Sequence, residues 1–122
     1  MANRRAALAA GFETIARHET ALARRALDGL EKIRGLRVWG ITDRERLHER
    51  VPTFSFTHDR YKASEIAERL GDQGIFVWHG NFYALPLTEA LGLEPDGLVR
   101  VGLLHYNTEQ EVDRLVAALA EL

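Results

Sequence analysis

The stretch Leu98–Asp113, LVRVGLLHYNTEQEVD, decides the fold because it joins a strand to the helix that follows it. Its first half alternates as a strand does, with Val99 and Val101 on one face and β-branched residues at the centre. The chain then turns, and Thr108 and Glu111 have the spacing of a capping box, in which each side chain bonds the other residue's backbone amide. The pattern predicts a β-strand that runs directly into an amphipathic helix.

Arg100 is the unusual residue of this stretch. It stands in the middle of an apolar strand and is the only lysine or arginine between Arg69 and Arg114. A guanidinium group is rarely buried without a partner. Two interpretations are open. Arg100 points to solvent or pairs with a carboxylate in the core, or it clamps an anion through two parallel hydrogen bonds, for which its planar fork of donors is suited.

The rest of the chain predicts an α+β fold. Apolar residues at helical spacing predict one long N-terminal helix, with arginines on its opposite side and Gly35 beyond its end. The predicted elements are this helix over residues 3–33, strands over 36–41, 53–57, 74–78 and 98–104, helices from Ala63 to Gly71, over 84–91 and from Thr108, and an irregular connection over 42–50.

This order of elements predicts a two-layer small domain. A mostly antiparallel sheet of four strands carries its helices on one face, and the long helix precedes it. Residues 1–35 are interpreted as a long linking helix that leads into the domain, and residues 36–122 as the α+β domain itself.

Composition narrows the classes of function. With 122 residues and a formal net charge of −2, the chain suits one domain and gives no reason to expect nucleic acid or an anionic membrane as a partner. The absence of cysteine excludes disulfides, thiolate metal sites and a cysteine nucleophile in this chain. The five histidines lack ligand spacing, so no metal site is expected. No apolar run reaches membrane length and no secretory pattern is seen, so the expected location is the cytoplasm.

A second informative stretch lies at the end of the predicted third strand. It combines flat aromatic side chains with an adaptable backbone, a combination common in binding loops. The alternative is a surface turn whose aromatic residues cap the core. The candidate active-site loop consists of Trp78, His79, Gly80, Asn81, Phe82 and Tyr83.

Two strings resemble one known family. VRVGLLHYNTEQEVDRL, residues 99–115, resembles the closing segment of class V aminotransferases and cysteine desulfurases, and RVPTFSFT, residues 50–57, resembles a strand of their small domain. The resemblance implies the C-terminal small domain of a pyridoxal phosphate-dependent enzyme of fold type I. It implies that Arg100 binds the carboxylate of an amino-acid substrate, which lies between this domain and a large domain. It also implies a homodimer.

The sequence departs from the desulfurase pattern in two ways. The family's nucleophilic cysteine precedes an A-x-P-L stretch, and in GNFYALPL, residues 80–87, the matching position is Tyr83. Persulfide chemistry at this loop is therefore not expected. The cofactor lysine of the family lies in its large domain, and the two lysines here, Lys32 and Lys62, lie in no such motif. No covalently bound cofactor is expected on this chain, and no catalytic residue is assigned to it. GIFVWHGNFYAL, residues 74–85, resembles a desulfurase-like subgroup of undefined activity.

Two further functions compete with this interpretation. α+β domains of this size also serve as free-standing small-molecule binding modules. The chain might instead be an interaction domain that uses its basic half, since residues 1–60 carry 12 basic and 8 acidic side chains while residues 61–122 carry 4 and 10. The mass of the native protein separates the enzyme interpretation from both, because only the enzyme requires a chain about three times longer.

Overall fold

The computed structural model of the protein describes residues 3–122. It contains four helices, four strands and one 3₁₀-helix in this part of the chain. In chain order they are α1 (Arg4–Leu30), β1 (Leu36–Trp39), the 3₁₀-helix (Arg44–Glu49), β2 (Thr53–His58), α2 (Ala63–Asp72), β3 (Trp78–Gly80), α3 (Leu85–Ala90), β4 (Leu98–Gly102) and α4 (Glu109–Ala120).

The four strands form one antiparallel sheet in the order β1-β2-β4-β3. The alternation of β2 and β4 divides the sheet into two faces. Phe54 lies opposite Val101 and Phe56 lies opposite Val99, and all four side chains are buried. Directly opposed aromatic and β-branched side chains are a main source of sheet stability. The predicted α+β architecture, with a four-stranded antiparallel sheet and a long N-terminal helix, is confirmed.

Three helices cover this apolar face. Each contributes a stripe of leucine, isoleucine, valine or alanine at helical spacing, so that one continuous core forms between the two layers. The buried residues of the helices are Leu22, Ala23, Ala26, Leu27 and Leu30 of α1, Ala63, Ile66 and Leu70 of α2, and Val112, Leu115, Ala118 and Leu119 of α4.

Helix α4 begins as the sequence predicts. The Thr108 hydroxyl accepts the Glu111 amide at 3.2 Å, and the Glu111 carboxylate accepts the Thr108 amide at 3.0 Å. On its outer side Arg25 of α1 donates two hydrogen bonds to the Asp113 carboxylate, at 2.7 and 2.8 Å. These bonds hold the pKa of the Asp113 carboxyl below its usual range. Capping and this ion pair fix the start of α4 beside α1.

The third strand is placed differently from the prediction. It covers Trp78–Gly80 rather than residues 74–78. The helix before it does not stop at Gly71 but continues to Asp72, and the left-handed residue that ends it is Gly74, at φ 74°. The amide of Ile75 bonds back to the Leu70 carbonyl at 2.9 Å, so the first residues assigned to the strand complete the end of the helix instead.

The connection over residues 42–50, predicted to be irregular, contains the 3₁₀-helix. Asp43 caps its first turn, and the Arg44 guanidinium pairs with Asp28 and Glu31 of α1 at 2.8 and 2.9 Å. Polar contacts rather than an apolar stripe hold this segment, and that is why hydrophobic spacing does not reveal it.

Arg50 joins this connection to the sheet. Its guanidinium donates to the carbonyls of Val51 at 3.1 Å, of Thr53 at 2.5 Å and of Ile41, and its carbon lies 4.2 Å from the centre of the Phe54 ring. Burial lowers the pKa of Arg50 from its usual value. An arginine that bonds three backbone carbonyls fixes the path of the chain into β2.

The two halves of α1 differ in their surroundings. The helix has 27 residues and is about 40 Å long. Its C-terminal turns lie in the core, whereas Leu8 is 54% exposed and Phe12 is 68% exposed. The apolar stripe predicted from the sequence therefore has neighbours over only part of its length. Within residues 3–122 no helix is both long and apolar enough to span a membrane.

The exposed half of α1 generates a first prediction. Amides of residues 4–15 exchange faster than those of residues 22–30, and the chain self-associates as its concentration rises, because exposed apolar stripes find each other. Phe12→Glu reduces the association, whereas Ala10→Glu, which adds the same charge on the opposite side of the helix, leaves it unchanged. Hydrogen exchange and sedimentation measure both effects. A monomer with residues 4–15 strongly protected contradicts this prediction.

A second prediction concerns the contact between the loops around β3 and β4. Gly97 has φ 70°, and a Cβ added there would lie 2.2 Å from the Gly80 carbonyl oxygen. Gly97→Ala is expected to lower the free energy of unfolding by about 2–4 kcal/mol, from backbone strain and overpacking together.

Gly92→Ala is the control, because Gly92 has φ 71° and nothing within 4 Å of the added Cβ. It is expected to cost only about 1–2 kcal/mol, for the left-handed backbone. Denaturant unfolding of both variants isolates the close approach. Equal losses in the two variants would show that the Gly80–Gly97 contact is unimportant.

Candidate functional site

Arg100 lies on the face of the sheet away from the helical layer. Its neighbours in β4, Val99 and Val101, are buried in the core, whereas Arg100 is exposed. In the ladder it stands directly opposite Ser55 of β2 and Trp78 of β3. Directly opposed residues share a face, so a hydroxyl and an indole flank the guanidinium.

This open face carries cations, hydroxyls and aromatic rings but no carboxylate among its strand positions. By alternation and register the positions are Arg37 and Trp39 of β1, Thr53, Ser55 and Thr57 of β2, Leu98, Arg100 and Gly102 of β4, and Trp78 and Gly80 of β3. A face with this composition has a positive potential. It suits an anionic group better than a cation.

Arg100 forms no salt bridge with any described residue. Its contact is with an aromatic ring instead: the guanidinium carbon lies 3.9 Å from the centre of the Phe82 ring. This geometry is a cation–π interaction. The interpretation in which Arg100 pairs with a core carboxylate does not describe this structure.

The loop that carries Phe82 has an unusual backbone. Phe82 and Tyr83 have φ 55° and 61°, two consecutive non-glycine residues in the left-handed region. The Asn81 side chain accepts the Tyr83 amide at 3.1 Å, and the Asn81 carbonyl accepts the Ala84 amide at 2.8 Å. Such conformations are costly and are concentrated at functional sites. The loop places Phe82 on Arg100 and leaves Tyr83 fully exposed.

Arg100 lines an open groove of about 570 Å³. Trp78 and Phe76 are its most exposed aromatic walls, at 69% and 88% of their surface. The groove opens widely to solvent, as a site does when a second wall is still needed to enclose a ligand. The lining residues are Thr53, Phe76, Val77, Trp78, Arg100 and Gly102.

The structure brings only part of the predicted loop to Arg100. Trp78 and Phe82 adjoin it, whereas His79 stands opposite the buried Val99 and so lies on the other face. Gly80 and Asn81 shape the backbone rather than the groove: Gly80 approaches Gly97 closely, and Asn81 holds the turn.

Sequence reasoning missed two neighbours of the site, Ser55 and Phe76. The signal for Ser55 is the alternation of hydroxyls with phenylalanines in β2, but that pattern does not say which strand lies alongside. Phe76 was predicted to lie within the third strand, and the structure places it in the segment that precedes β3. Both become groove neighbours only through strand pairing.

The residues present do not fit covalent binding of pyridoxal phosphate. Lys32 follows α1 and Lys62 caps α2, and both are exposed. Neither lines the groove of Arg100, so no lysine amine is placed to react beside the candidate carboxylate site. Over residues 3–122 no cluster of three or more potential metal ligands is found either.

Comparison with known proteins identifies relatives over almost the whole chain. The family model described as aminotransferase class-V matches residues 5–115. The aminotransferase-like protein FGM3 of Gibberella zeae is 38% identical over 112 residues, which is 88% of this chain and 27% of that protein. A probable cysteine desulfurase 2 of Mycobacterium leprae is 36% identical over 111 residues, 91% of this chain and 25% of that protein.

A solved structure shares the fold. The apo structure of a cysteine desulfurase from Thermococcus onnurineus NA1 superposes with a TM-score of 0.83 at 27% identity, covering 96% of this chain and 28% of that one. The present chain thus spans about a quarter of the length of the proteins that it resembles.

The position of the lysines generates a third prediction. Mixed with pyridoxal phosphate, this chain forms no stoichiometric adduct, because a stable Schiff base needs a positioned and partly desolvated amine. The visible spectrum before and after borohydride reduction, with peptide mass analysis, measures this. A stoichiometric reduced adduct on Lys32 or Lys62 would contradict the expectation.

Proposed function

Since the chain belongs to the class V aminotransferase family, we propose that it forms the C-terminal part of a pyridoxal phosphate-dependent enzyme that acts on an amino acid. The family of aminotransferases and cysteine desulfurases depends on this cofactor. The observation that carries the proposal is Arg100, an exposed guanidinium on the open face of the sheet with no carboxylate partner in residues 3–122. Its role is to bind the substrate's α-carboxylate.

The surroundings of Arg100 support this role. A guanidinium offers parallel N–H donors that match the two oxygens of a carboxylate. The strand positions of its face contain no acidic residue that would compete for it. The backbone of Arg100 is held on both sides by strand pairing, so the clamp stands on a rigid element.

Tyr83 separates this enzyme from the desulfurases in our proposal. At the position that matches their nucleophilic cysteine, the loop presents a fully exposed phenol. A phenol with an ordinary pKa near 10 is not a sulfur acceptor. Sulfur transfer through a persulfide on this loop is therefore excluded from the proposed chemistry, and the loop acts by shaping the substrate site.

The proposed enzyme divides as the sequence predicts. Residues 1–35 form the linking helix and residues 36–122 form the small domain that carries the clamp. A large domain supplies the cofactor lysine, covers the exposed half of α1 and closes the groove over the substrate. The exposure of Leu8 and Phe12 and the quarter-length coverage of the relatives support this division. We propose a cytoplasmic homodimer.

Substitution of Arg100 in the full-length enzyme tests the proposal. Arg100→Ala leaves the substrate carboxylate unpaired, which is expected to cost about 3–5 kcal/mol of binding. Catalytic efficiency then falls by roughly two to four powers of ten. Arg100→Lys keeps the charge but loses the fork, and recovers only part of the loss. The melting temperature and the cofactor spectrum stay nearly unchanged, because Arg100 is exposed and forms no ion pair in the described chain.

Arg69→Ala is the control for these variants. Arg69 also stacks on a ring, with its guanidinium carbon 4.5 Å from the centre of Tyr61, but it belongs to α2, outside the groove. Its removal is expected to leave efficiency unchanged. An Arg100→Ala enzyme that is stable and fully active would eliminate the clamp, and one that unfolds while its folded fraction keeps full activity would assign Arg100 a purely structural role.

A further inference from the structure

We propose that Phe82 is a positioning residue for Arg100: its ring holds the guanidinium in the orientation that receives the substrate's carboxylate. This inference rests on the proposed function and adds to it a second residue, contributed by the loop. Nothing in the sequence pattern links the two residues, which are 18 positions apart. Only the fold brings the ring to 3.9 Å from the guanidinium carbon.

Stacking and carboxylate binding use different parts of the guanidinium. A ring over the face of the group interacts with its charge, while the N–H donors point outward in the plane of the group. A carboxylate meets those donors edge-on, in the bidentate arrangement. Phe82 therefore orients Arg100 without occupying the donors that bind the ligand, which a carboxylate partner within the protein would do.

Orientation matters here because Arg100 is otherwise free. Its side chain is exposed and has no ion pair in the described part of the chain. A long side chain that must be ordered at the moment of binding weakens the affinity, and prior ordering removes this loss. The Phe82 ring supplies that order before the substrate arrives.

The loop conformation serves this contact. Two consecutive left-handed residues, Phe82 and Tyr83, reverse the chain directly after β3, and Asn81 holds the reversal through its side chain. Costly backbone conformations persist only where their surroundings determine them. A contrast exists on the same face: Arg37 stacks on Trp39 at 3.7 Å, but these residues are next-but-one neighbours in β1 and meet without any special backbone.

The test measures the affinity of the full-length enzyme for L-alanine, used as a carboxylate-bearing probe, from the change in cofactor absorbance on titration. Phe82→Leu keeps an apolar side chain but removes the π-face, and is expected to raise the dissociation constant about five- to thirtyfold. Phe82→Trp retains a ring and stays within about threefold of the wild type. For a substrate that turns over, KM rises while kcat changes little.

Control variants separate positioning from a general structural effect. Tyr61→Leu removes the ring under Arg69, a comparable contact remote from the groove, and leaves the affinity for L-alanine unchanged. In an Arg100→Met background, Phe82→Leu has no further effect, because the residue it acts through is gone. In the 122-residue chain, ring-current shielding moves the Arg100 Nε proton upfield, and Phe82→Leu abolishes this shift.

The outcomes decide between the two proposals. If Arg100→Met weakens L-alanine binding while Phe82→Leu does not, or if Phe82→Leu weakens it equally in both backgrounds, the positioning role is wrong and the clamp stands. If Arg100→Met has no effect on binding, the clamp fails and the positioning role fails with it. If Phe82→Leu does not fold, the absence of the upfield Arg100 proton in the wild-type chain, or a Phe82→Trp enzyme as weak as Arg100→Met, overturns the inference.

Discussion

The antiparallel register between β2 and β4 sets the orientation of every residue discussed above. Phe54 and Phe56 face Val101 and Val99 across the two central strands, and all four are buried beneath the helices. Because side chains alternate along a strand, this apolar contact turns Arg100 to the other face. A shift of one residue would put the guanidinium into the core and the valines into water, at a cost of several kcal/mol for the buried charge alone. Hydrophobic burial therefore orients a polar functional group that takes no part in it.

The two faces of the sheet contribute differently to the protein. The inner face is closed by three helices and accounts for stability, whereas the outer face is left with rings, hydroxyls and two arginines, Arg37 and Arg100. Each of these arginines stacks on an aromatic ring rather than on an acid. The outer face thus remains positive and free to meet a carboxylate. A binding face without internal ion pairs agrees with a domain that completes its site only against a further part of the enzyme.

The loop after β3 shows how a family scaffold accepts a changed chemistry. At the position of the desulfurase nucleophile this chain has Tyr83, exposed at the tip of a backbone with two positive φ angles. The preceding residue, Phe82, contacts Arg100, so the same loop that supplies a reactive group in desulfurases supplies a ring here. Strain that would be wasteful in a plain surface turn is understandable where it directs a side chain to a substrate group.

The sequence by itself determined the fold class, the long first helix, the capped start of α4, the family and the candidate arginine. Each of these depends on local pattern: alternation, helical spacing, the Thr108–Glu111 pair, or strings that resemble relatives. It misplaced β3 and missed the 3₁₀-helix, because the end of α2 at Gly74 and the contacts of Arg44 are held by hydrogen bonds and ion pairs that leave no periodic signal. Only the tertiary structure decided that Arg100 is free of acidic partners in residues 3–122 and that Phe82 covers it. That decision belongs to strand pairing and to a left-handed loop, which join residues distant in the chain and depend on geometry that composition and spacing do not encode.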